Sequence, residues 1–358
     1  MKVAKRVGLT VGLALAASLA GTPAGAKEYK MTAGSSHPPI LPWVVTIKDL
    51  VVPESNKRLK ELGIPDSISW TEAYAGALYN FDNTLEGVGQ GLADIGWVGS
   101  LWETVKMPLH NISYYTPFTT GDYWALLDIQ EELYRSIPAM QKEWTDNNVV
   151  FLGAQTADTY HIVSKTPIRT VEDLKGKKFN TAGAVGTWLN GTGAVAVPTG
   201  LPEMYNNIKT GVADGAVILM TGIPAFKLHE VAPHVTLVDM GAVFSGGLGM
   251  NKKTYDELPP HMKTLFRGLG REYGYQQTRL VQENEKRAFA TIQAQGAQIY
   301  QFSPSERQKW AAMLPDIAGN WAREWDAKGV PAKQVLKTYM DSIRKRGGKP
   351  MRDWDKGL

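Results

Sequence analysis

Histidine is the side chain most often used near neutral pH for metal binding and proton transfer, so its spacing is informative first. The sequence has six histidines, and none of them forms an HExxH pattern. The closest pair is His229 and His234, and Pro233 lies between them. That spacing does not place both imidazoles on one face of a helix. The histidines therefore predict no metal site.

Other patterns that accompany catalysis are also weak. No Gly-x-Ser-x-Gly segment is present for a nucleophilic serine. None of the 35 acidic residues is marked as half of a carboxylate pair for glycoside hydrolysis. The run 191–196 has the glycine spacing of a dinucleotide loop, but it follows a helix-like segment and leads into Val-Pro, so we interpret it as a connector. The sequence predicts a protein that is not an enzyme and binds no cofactor.

The elements that would position a binding site are clearest between Thr170 and Leu219. Thr170 can cap a short helix that ends at Gly176, and Lys178–Thr181 has strand character. A second helix begins at Pro202 and ends at Gly211, before the apolar strand Gly215–Leu219. This βαβ order predicts a ligand beyond the carboxyl ends of the strands.

Two segments of the chain resemble each other. VGQGLADIGWV (88–98) and IKTGVADGAVI (208–218) both read as a helix end, a glycine, Ala-Asp and a hydrophobic strand. Each has strand-helix-strand neighbours. We therefore predict two related α/β lobes.

The first residues read as an export signal. Lys2, Lys5 and Arg6 precede an apolar run, and Ala24-Gly25-Ala26 provides the small residues at which signal peptidase cleaves. We interpret Met1–Ala26 as a cleaved signal peptide and predict a periplasmic protein. A membrane anchor is the alternative, although the apolar run is short for a bilayer.

Charge and cysteine content limit the partners. Removing the signal takes three of 39 basic groups and leaves 36 against 35 acidic groups, so the net charge is near +1. This balance predicts no nucleic-acid partner. The chain has no cysteine, so an exported form must be stabilised by burial alone.

A series of motifs in order resembles one family. SSHPP, AYAGALY, GLADIGW, YYTPF, EDLKGKKF, EMYNNIKTGVADG and KLHEVAPHV resemble the solute receptors of TRAP transporters, a family of dicarboxylate- and sialic-acid-binding periplasmic proteins. The resemblance implies a two-lobed α/β periplasmic-binding-protein fold with hinge strands and long C-terminal helices. It also implies a small organic solute as ligand and integral-membrane permease subunits as partners.

The sequence departs from that family where a carboxylate would bind. The strand after DLKGKK usually carries an arginine in the family, and this sequence has Asn180 there. Sialic-acid receptors carry a second arginine where this chain has Tyr160. The arginine clamp is therefore absent, and both an organic acid and a neutral aromatic or apolar ligand remain open. The predicted ligand-binding residues are His37, Tyr115, Phe118, Tyr160, Asn180, Trp188, Ile218 and Met220.

We predict lobe I from residues 27–156 with a return segment at about 242–257, and lobe II from 157–241. Residues 258–358 are expected to be helical and to pack on the lobes. Hinges are expected near Leu152–Thr159 and Met240–Gly247. The expected function is solute capture for a TRAP permease. The alternatives are a receptor for another transporter or sensor system and a secreted hydrolase.

Overall fold

The computed structural model describes residues 25–358. The predicted signal peptide, Met1–Ala26, lies outside the described residues except for its last two positions. In the described part of the chain, no helix is both long and apolar enough to cross a membrane.

The first of two sheets has five strands in the order β2-β1-β3-β10-β4. Strands β2 and β3 flank β1 in parallel, whereas β10 runs antiparallel to both β3 and β4. Apolar side chains cover both faces of this sheet. The strands are β1 (Glu28–Gly34), β2 (Ser67–Ala73), β3 (Ile95–Gly99), β4 (Val149–Ala157) and β10 (Val243–Asn251).

The second sheet has six strands in the order β11-β9-β5-β8-β6-β7. Strand β6 is parallel to β7 and β8, and β5 is antiparallel to β8 and β9. The strands are β5 (Tyr160–Ser164), β6 (Lys178–Thr181), β7 (Val195–Pro198), β8 (Gly215–Leu219), β9 (His234–Leu237) and β11 (Gln298–Gln301).

Helices cover the sheets, and a π-helical turn, Ile47–Val51, joins the first two. The α-helices are α1 (Pro42–Thr46), α2 (Val52–Glu61), α3 (Thr84–Gly89), α4 (Ile112–Tyr115), α5 (Tyr123–Ser136), α6 (Pro138–Thr145), α7 (Leu201–Thr210), α8 (Gly222–Ala225), α9 (Leu228–Val231), α10 (Lys252–Glu257), α11 (Pro260–Ala294), α12 (Pro304–Met313), α13 (Ile317–Ala327) and α14 (Ala332–Lys345). Short 3-10 helices cover Phe81–Asn83, Ser100–Trp102, Leu109–Asn111, Val171–Leu174 and Gly183–Leu189.

The local signals around Thr170 are confirmed. Thr170 and Asp173 form a reciprocal capping box at a 3-10 helix. Helix α7 ends at Gly211, which has a left-handed φ of 85°, and Met204 and Ile208 are fully buried. Ser303 also caps its helix, α12, because its hydroxyl accepts a hydrogen bond from the backbone N–H of Glu306.

Two local predictions are wrong in part. The connector at 191–196 runs into the edge strand β7, and the C-terminal region, expected to be helical, contains β11, which pairs with β9. Both are short edge strands without a strong alternating pattern. Asn83 precedes α3, and its side chain makes no cap hydrogen bond to that helix.

The aspartates of the two repeated segments form equivalent hydrogen bonds in the two sheets. The Asp94 carboxylate accepts a hydrogen bond from the backbone N–H of Thr32 in β1, and its own N–H donates to the carbonyl of Thr32. Asp214 makes the same pair of bonds with Lys178 in β6. Each aspartate therefore fixes the start of one strand, β3 or β8, against its parallel neighbour.

The chain first crosses between the sheets at Asp158, which joins β4 to β5. Its carboxylate is fully buried and accepts 2.8 Å hydrogen bonds from the backbone N–H and the hydroxyl of Thr221, just after β8. Burial raises the pKa of Asp158 to about 7, the nearby charge of Glu285 adds to this, and the Thr221 hydrogen bonds oppose it. The chain returns to the first sheet between β9 and β10. This second crossing is hydrogen-bonded next to the first, because the N–H of Met240 donates to the carbonyl of Tyr160.

Helix α11 lies against the hydrophobic clusters of both sheets. Phe266 and Tyr273 pack in the cluster of the first sheet, and Val281 and Ile292 pack in that of the second. The helix comes so close to β4 that a Cβ at Gly270 would lie 2.1 Å from the carbonyl oxygen of Leu152.

We predict that Gly270→Ala lowers the free energy of unfolding by about 2 kcal/mol or more, because a methyl group there overlaps rigid backbone. Gly268→Ala on the same helix is the matched control, since a Cβ there meets nothing within 4 Å. Alanine favours a helix over glycine, so this control should be about 0.5–1 kcal/mol more stable than the wild type. Urea denaturation measures both, and equal effects of the two variants would contradict the close approach.

We predict that Asp158→Asn changes the pH dependence of stability. The folded pKa of about 7 lies above the unfolded value of about 3.9. The folded state therefore holds the extra proton between these values, and this group makes unfolding easier as pH rises from about 4 to 7. Asparagine can keep both bonds to Thr221 because the hydroxyl can reverse its direction. The variant should lose this slope and gain stability at pH 8, on the order of a few kcal/mol.

Denaturation curves at several pH values test this prediction. Asp256→Asn, at an exposed position on α10, is the control and should follow the wild-type profile. Parallel profiles for Asp158→Asn and the wild type would show that the carboxyl group at the crossing titrates normally.

Candidate functional site

A buried cavity lies where the strand ends of the two sheets face each other. His37 follows β1, and Trp97 lies in β3. On the opposite side, Ala182 follows β6 and Ile218 lies at the end of β8. This is the place predicted by the rule for open α/β sheets. The lining residues are His37, Trp43, Trp97, Leu101, Trp102, Tyr114, Tyr160, Ala182, Leu201, Met204, Val217, Ile218, Leu219 and Ser245.

The cavity is small in this conformation. It offers about 20 Å³ to the centres of water-sized molecules. That is room for one or two waters, whereas a cavity of about 150 Å³ is needed for benzene. A ring-sized solute therefore requires the two walls to move apart.

An aromatic cage surrounds His37 on the wall from the first sheet. We use this name for Trp43, Phe81, Trp97 and Trp102, whose ring centroids lie 5.6, 4.1, 4.4 and 5.8 Å from that of the imidazole. Most of these contacts are edge-to-face, which is a favourable geometry for aromatic rings. The cage gives the cavity an apolar, polarisable wall.

His37 is fully buried and neutral. Its Nδ1 lies 3.3 Å from the Ser36 hydroxyl, and its Nε2 has no hydrogen-bond partner. Burial lowers the pKa of His37 well below 6.5, because the charged imidazolium would lose its hydration there. The imidazole is thus a hydrogen-bonding group without charge at neutral pH.

Tyr160 forms part of the facing wall. Its hydroxyl is 3.5 Å from that of Tyr114, and its ring packs edge-on against Trp188 at 5.1 Å. Burial raises the pKa of Tyr160 well above its usual value. The hydroxyl therefore stays protonated, and its bond to Tyr114 is long enough to be exchanged for one to a ligand.

Asn180 lies in the body of the second sheet and does not line the cavity. Its Nδ2 donates to the carbonyls of Met204 and Gly215, and its Oδ1 accepts from Thr199 and Asn207. Each hydrogen-bonding atom of the amide is thus occupied within this sheet and helix α7. The structure differs here from the expectation that Asn180 faces the ligand.

Three of the eight predicted residues, His37, Tyr160 and Ile218, line the cavity, and the other five, Asn180 among them, lie behind or away from it. Trp188 packs behind Tyr160 and donates to the carbonyl of Tyr114. Tyr115 stacks on Trp321 with ring centroids 5.5 Å apart. Met220 is buried after β8 but is not a cavity residue, and Phe118 lines a separate crevice of about 490 Å³ beside α5 and α11.

An open crevice of about 820 Å³ adjoins the cavity at Trp102, which lines both. We call it the mouth. Its charged lining residues are Asp82 and Glu203, one from each side of the cleft. Because both of these residues are carboxylates, the mouth is acidic. Burial, together with the negative charge of Asp82, also raises the pKa of the neighbouring Glu103 to about 7.

The tryptophans of the wall were not predicted from the sequence. The sequence contains one indication of Trp97. In the repeated segments it occupies the position of Val217, and both residues line the cavity. Trp43 has no such marker. Within residues 25–358, no cluster of three or more His, Asp or Glu side chains is arranged to hold a metal ion.

Solved structures with the same fold include several receptors. A TRAP solute-binding protein from Rhodoferax ferrireducens T118, in complex with copurified benzoate, superposes with a TM-score of 0.78 and 22% identity, covering 89% of this chain and 98% of that one. A TRAP periplasmic solute-binding protein from Sulfitobacter sp. NAS-14.1, with bound β-D-galacturonate, superposes with a TM-score of 0.72 and 21% identity. The match covers 87% of this chain and 99% of that one. The two-lobed α/β fold predicted from the sequence is confirmed.

Curated relatives match shorter segments. The C4-dicarboxylate-binding periplasmic protein DctP of Rhodobacter capsulatus is 25% identical over 172 residues, which is 47% of this chain and 51% of DctP. A solute-binding protein of Sulfitobacter sp. (strain NAS-14.1) is 30% identical over 129 residues, 36% of this chain and 39% of that protein. The chain thus spans between two fifths and a half of these relatives' length.

The family assignment rests on a longer match. The family model described as bacterial extracellular solute-binding protein, family 7 (DctP), matches residues 69–324. This range covers more than two thirds of the sequence and includes strands of both sheets. The chain belongs to the bacterial extracellular solute-binding protein family 7.

Proposed function

We propose that this protein is the extracytoplasmic solute receptor of a TRAP transporter. It binds a small organic solute between two lobes and delivers it to the integral-membrane permease subunits. The observation that carries the proposal is the buried cavity with one wall from each sheet. Its walls offer aromatic surface and a few polar atoms, as ligand sites commonly do.

The proposed ligand contacts are His37, Tyr160 and Ile218 from the sequence prediction, together with Trp43, Trp97 and Trp102. Asn180 and Trp188 act behind the wall, because Asn180 joins β6 to α7 and Trp188 backs the Tyr160 ring. The relatives bind organic acids according to their names, which include benzoate, galacturonate and C4-dicarboxylates. Small ring compounds and organic acids are therefore the first solutes to test.

Release and capture require the walls to separate and close. We place the lobes at residues 27–156 with 242–257, and at 157–241, with 258–358 packed across both. The hinges are the crossings near Asp158 and Gly241, where Gly241 has a φ of 112°. Closing on a solute is then a population shift, and changing from mostly open to mostly closed takes about 5.5 kcal/mol of differential binding.

The location proposed for the protein is the periplasm. Its support is the predicted signal peptide together with the extracellular family. Export and cleavage can be tested by sequencing the N-terminus of the mature chain from the periplasmic fraction. A start at Lys27 is expected, and a chain beginning at Met1 in that fraction would contradict the predicted cleavage.

A thermal-shift screen of organic acids, aromatic amides and polyols tests receptor function, because a ligand that binds only the native state raises Tm. We predict that Ala182→Leu abolishes the response or weakens the affinity at least tenfold. Ala182 lies on the cavity wall in extended backbone that leucine can adopt, so the added carbons occupy the ligand's space. Ala294→Leu, at the exposed end of α11, is the matched control and should respond like the wild type. A response equal in all three proteins would place the ligand elsewhere.

A further inference from the structure

The cavity contains hydrogen-bonding atoms but no charge. Its lining includes no lysine, arginine, aspartate or glutamate. Several of its polar atoms are already paired: Trp97 Nε1 and Ser245 Oγ both donate to Oε1 of Gln155, at 3.4 and 2.6 Å. A ligand entering this cavity therefore finds few free polar partners and no counter-ion.

Two buried nitrogens in the lining are unpaired. Trp43 Nε1 and His37 Nε2 have no hydrogen-bond partner, and their side chains are 3% and 0% exposed. The indole nitrogen is only a donor. The neutral imidazole has one proton, and Nε2 carries it when the Ser36 hydroxyl donates to Nδ1. Buried donors without partners are uncommon in native proteins and call for an explanation, such as a ligand group that accepts from them.

The route to these donors disfavours anions. The mouth is lined by Asp82 and Glu203 and by no lysine or arginine. A dianion approaching it is repelled, and a carboxylate that reached the cavity would lose its water without gaining a cation. Both effects are absent for an uncharged solute. Three tryptophans of the aromatic cage, Trp43, Trp97 and Trp102, line the cavity and give a planar ring an aromatic wall to pack against.

On the basis of the proposed function, we infer that the solute is a ring compound whose polar end is an uncharged hydrogen-bond acceptor. This acceptor receives hydrogen bonds from Nε1–H of Trp43 and Nε2–H of His37, and the ring of the solute lies against the aromatic cage. The site thereby discriminates against aliphatic dicarboxylates and uronates, for which an acidic mouth and a cavity without cations are unsuited.

The test compares ligands of one shape and different charge. Benzamide and benzoate are nearly isosteric, and isothermal titration calorimetry at pH 7.5 measures their affinities for the wild-type protein. Benzamide should bind at least tenfold more tightly than benzoate. The difference in affinity between the two compounds should become smaller at pH 5, where more of the benzoate is protonated. Succinate and D-glucuronate should show no binding at millimolar concentration.

Trp43→Phe tests the donor, because it keeps an aromatic ring and removes the N–H. It should weaken benzamide binding at least tenfold. The Tm of the ligand-free variant is recorded as well, because removing the unpaired donor and leaving space beside the smaller ring act on stability in opposite directions. Trp124→Phe on α5 is the matched control at a partly exposed position and should change neither value.

The outcomes separate this inference from the proposed function. Tighter binding of benzoate, succinate or D-glucuronate than of benzamide overturns the inference and leaves the receptor function supported. Unchanged benzamide affinity in Trp43→Phe overturns the assignment of the donor. If no compound of either charge class binds, and a wider thermal-shift screen is also silent, the proposed function itself is contradicted.

Discussion

The hydrogen bonds between Asp158 and Thr221 are the interaction on which the geometry of the site depends. Asp158 lies at the crossing from β4 to β5, two residues before Tyr160, and Thr221 follows β8, whose end carries Ile218. One carboxylate therefore fixes two segments that line the cavity. Its burial has an energetic cost, which the raised pKa expresses, and the two bonds to Thr221 offset part of that cost. Two hydrogen bonds thus hold the crossing at which we propose a hinge.

The two sheets supply their walls by the same local design. Asp94 and Asp214 each tie the start of a strand to its parallel neighbour, and both strands end at the cavity. What differs is the residue presented there, because Trp97 in β3 corresponds to Val217 in β8. One wall is consequently aromatic and the other mainly aliphatic. A similar backbone with different side chains gives a cleft whose chemistry is set by a few positions at the strand ends.

Local signals in the sequence predicted much of the fold, and long-range packing decided what they missed. Thr170 and Gly211 act through neighbours a few residues away, so their roles could be read directly. The strand β11 could not, because its pairing with β9 joins segments more than 60 residues apart. For the site, the strand that holds Asn180 was predicted correctly. The direction of its side chain depends on contacts with α7 and β8 that no local pattern reveals.

We propose that a solute holds the two sheets together at their strand ends. Because the chain has no cysteine, spin labels can be attached only at introduced sites, such as Leu78→Cys beside the first sheet and Val195→Cys in β7, both exposed. Pulsed electron-spin distance measurements would then compare the ligand-free protein with protein saturated by the compound that gives the largest thermal shift. If the solute draws the sheets together, the distribution of distances between the labels is broad without the compound, and it narrows and changes its mean by several ångströms when the compound binds. Identical distributions in both states would contradict it.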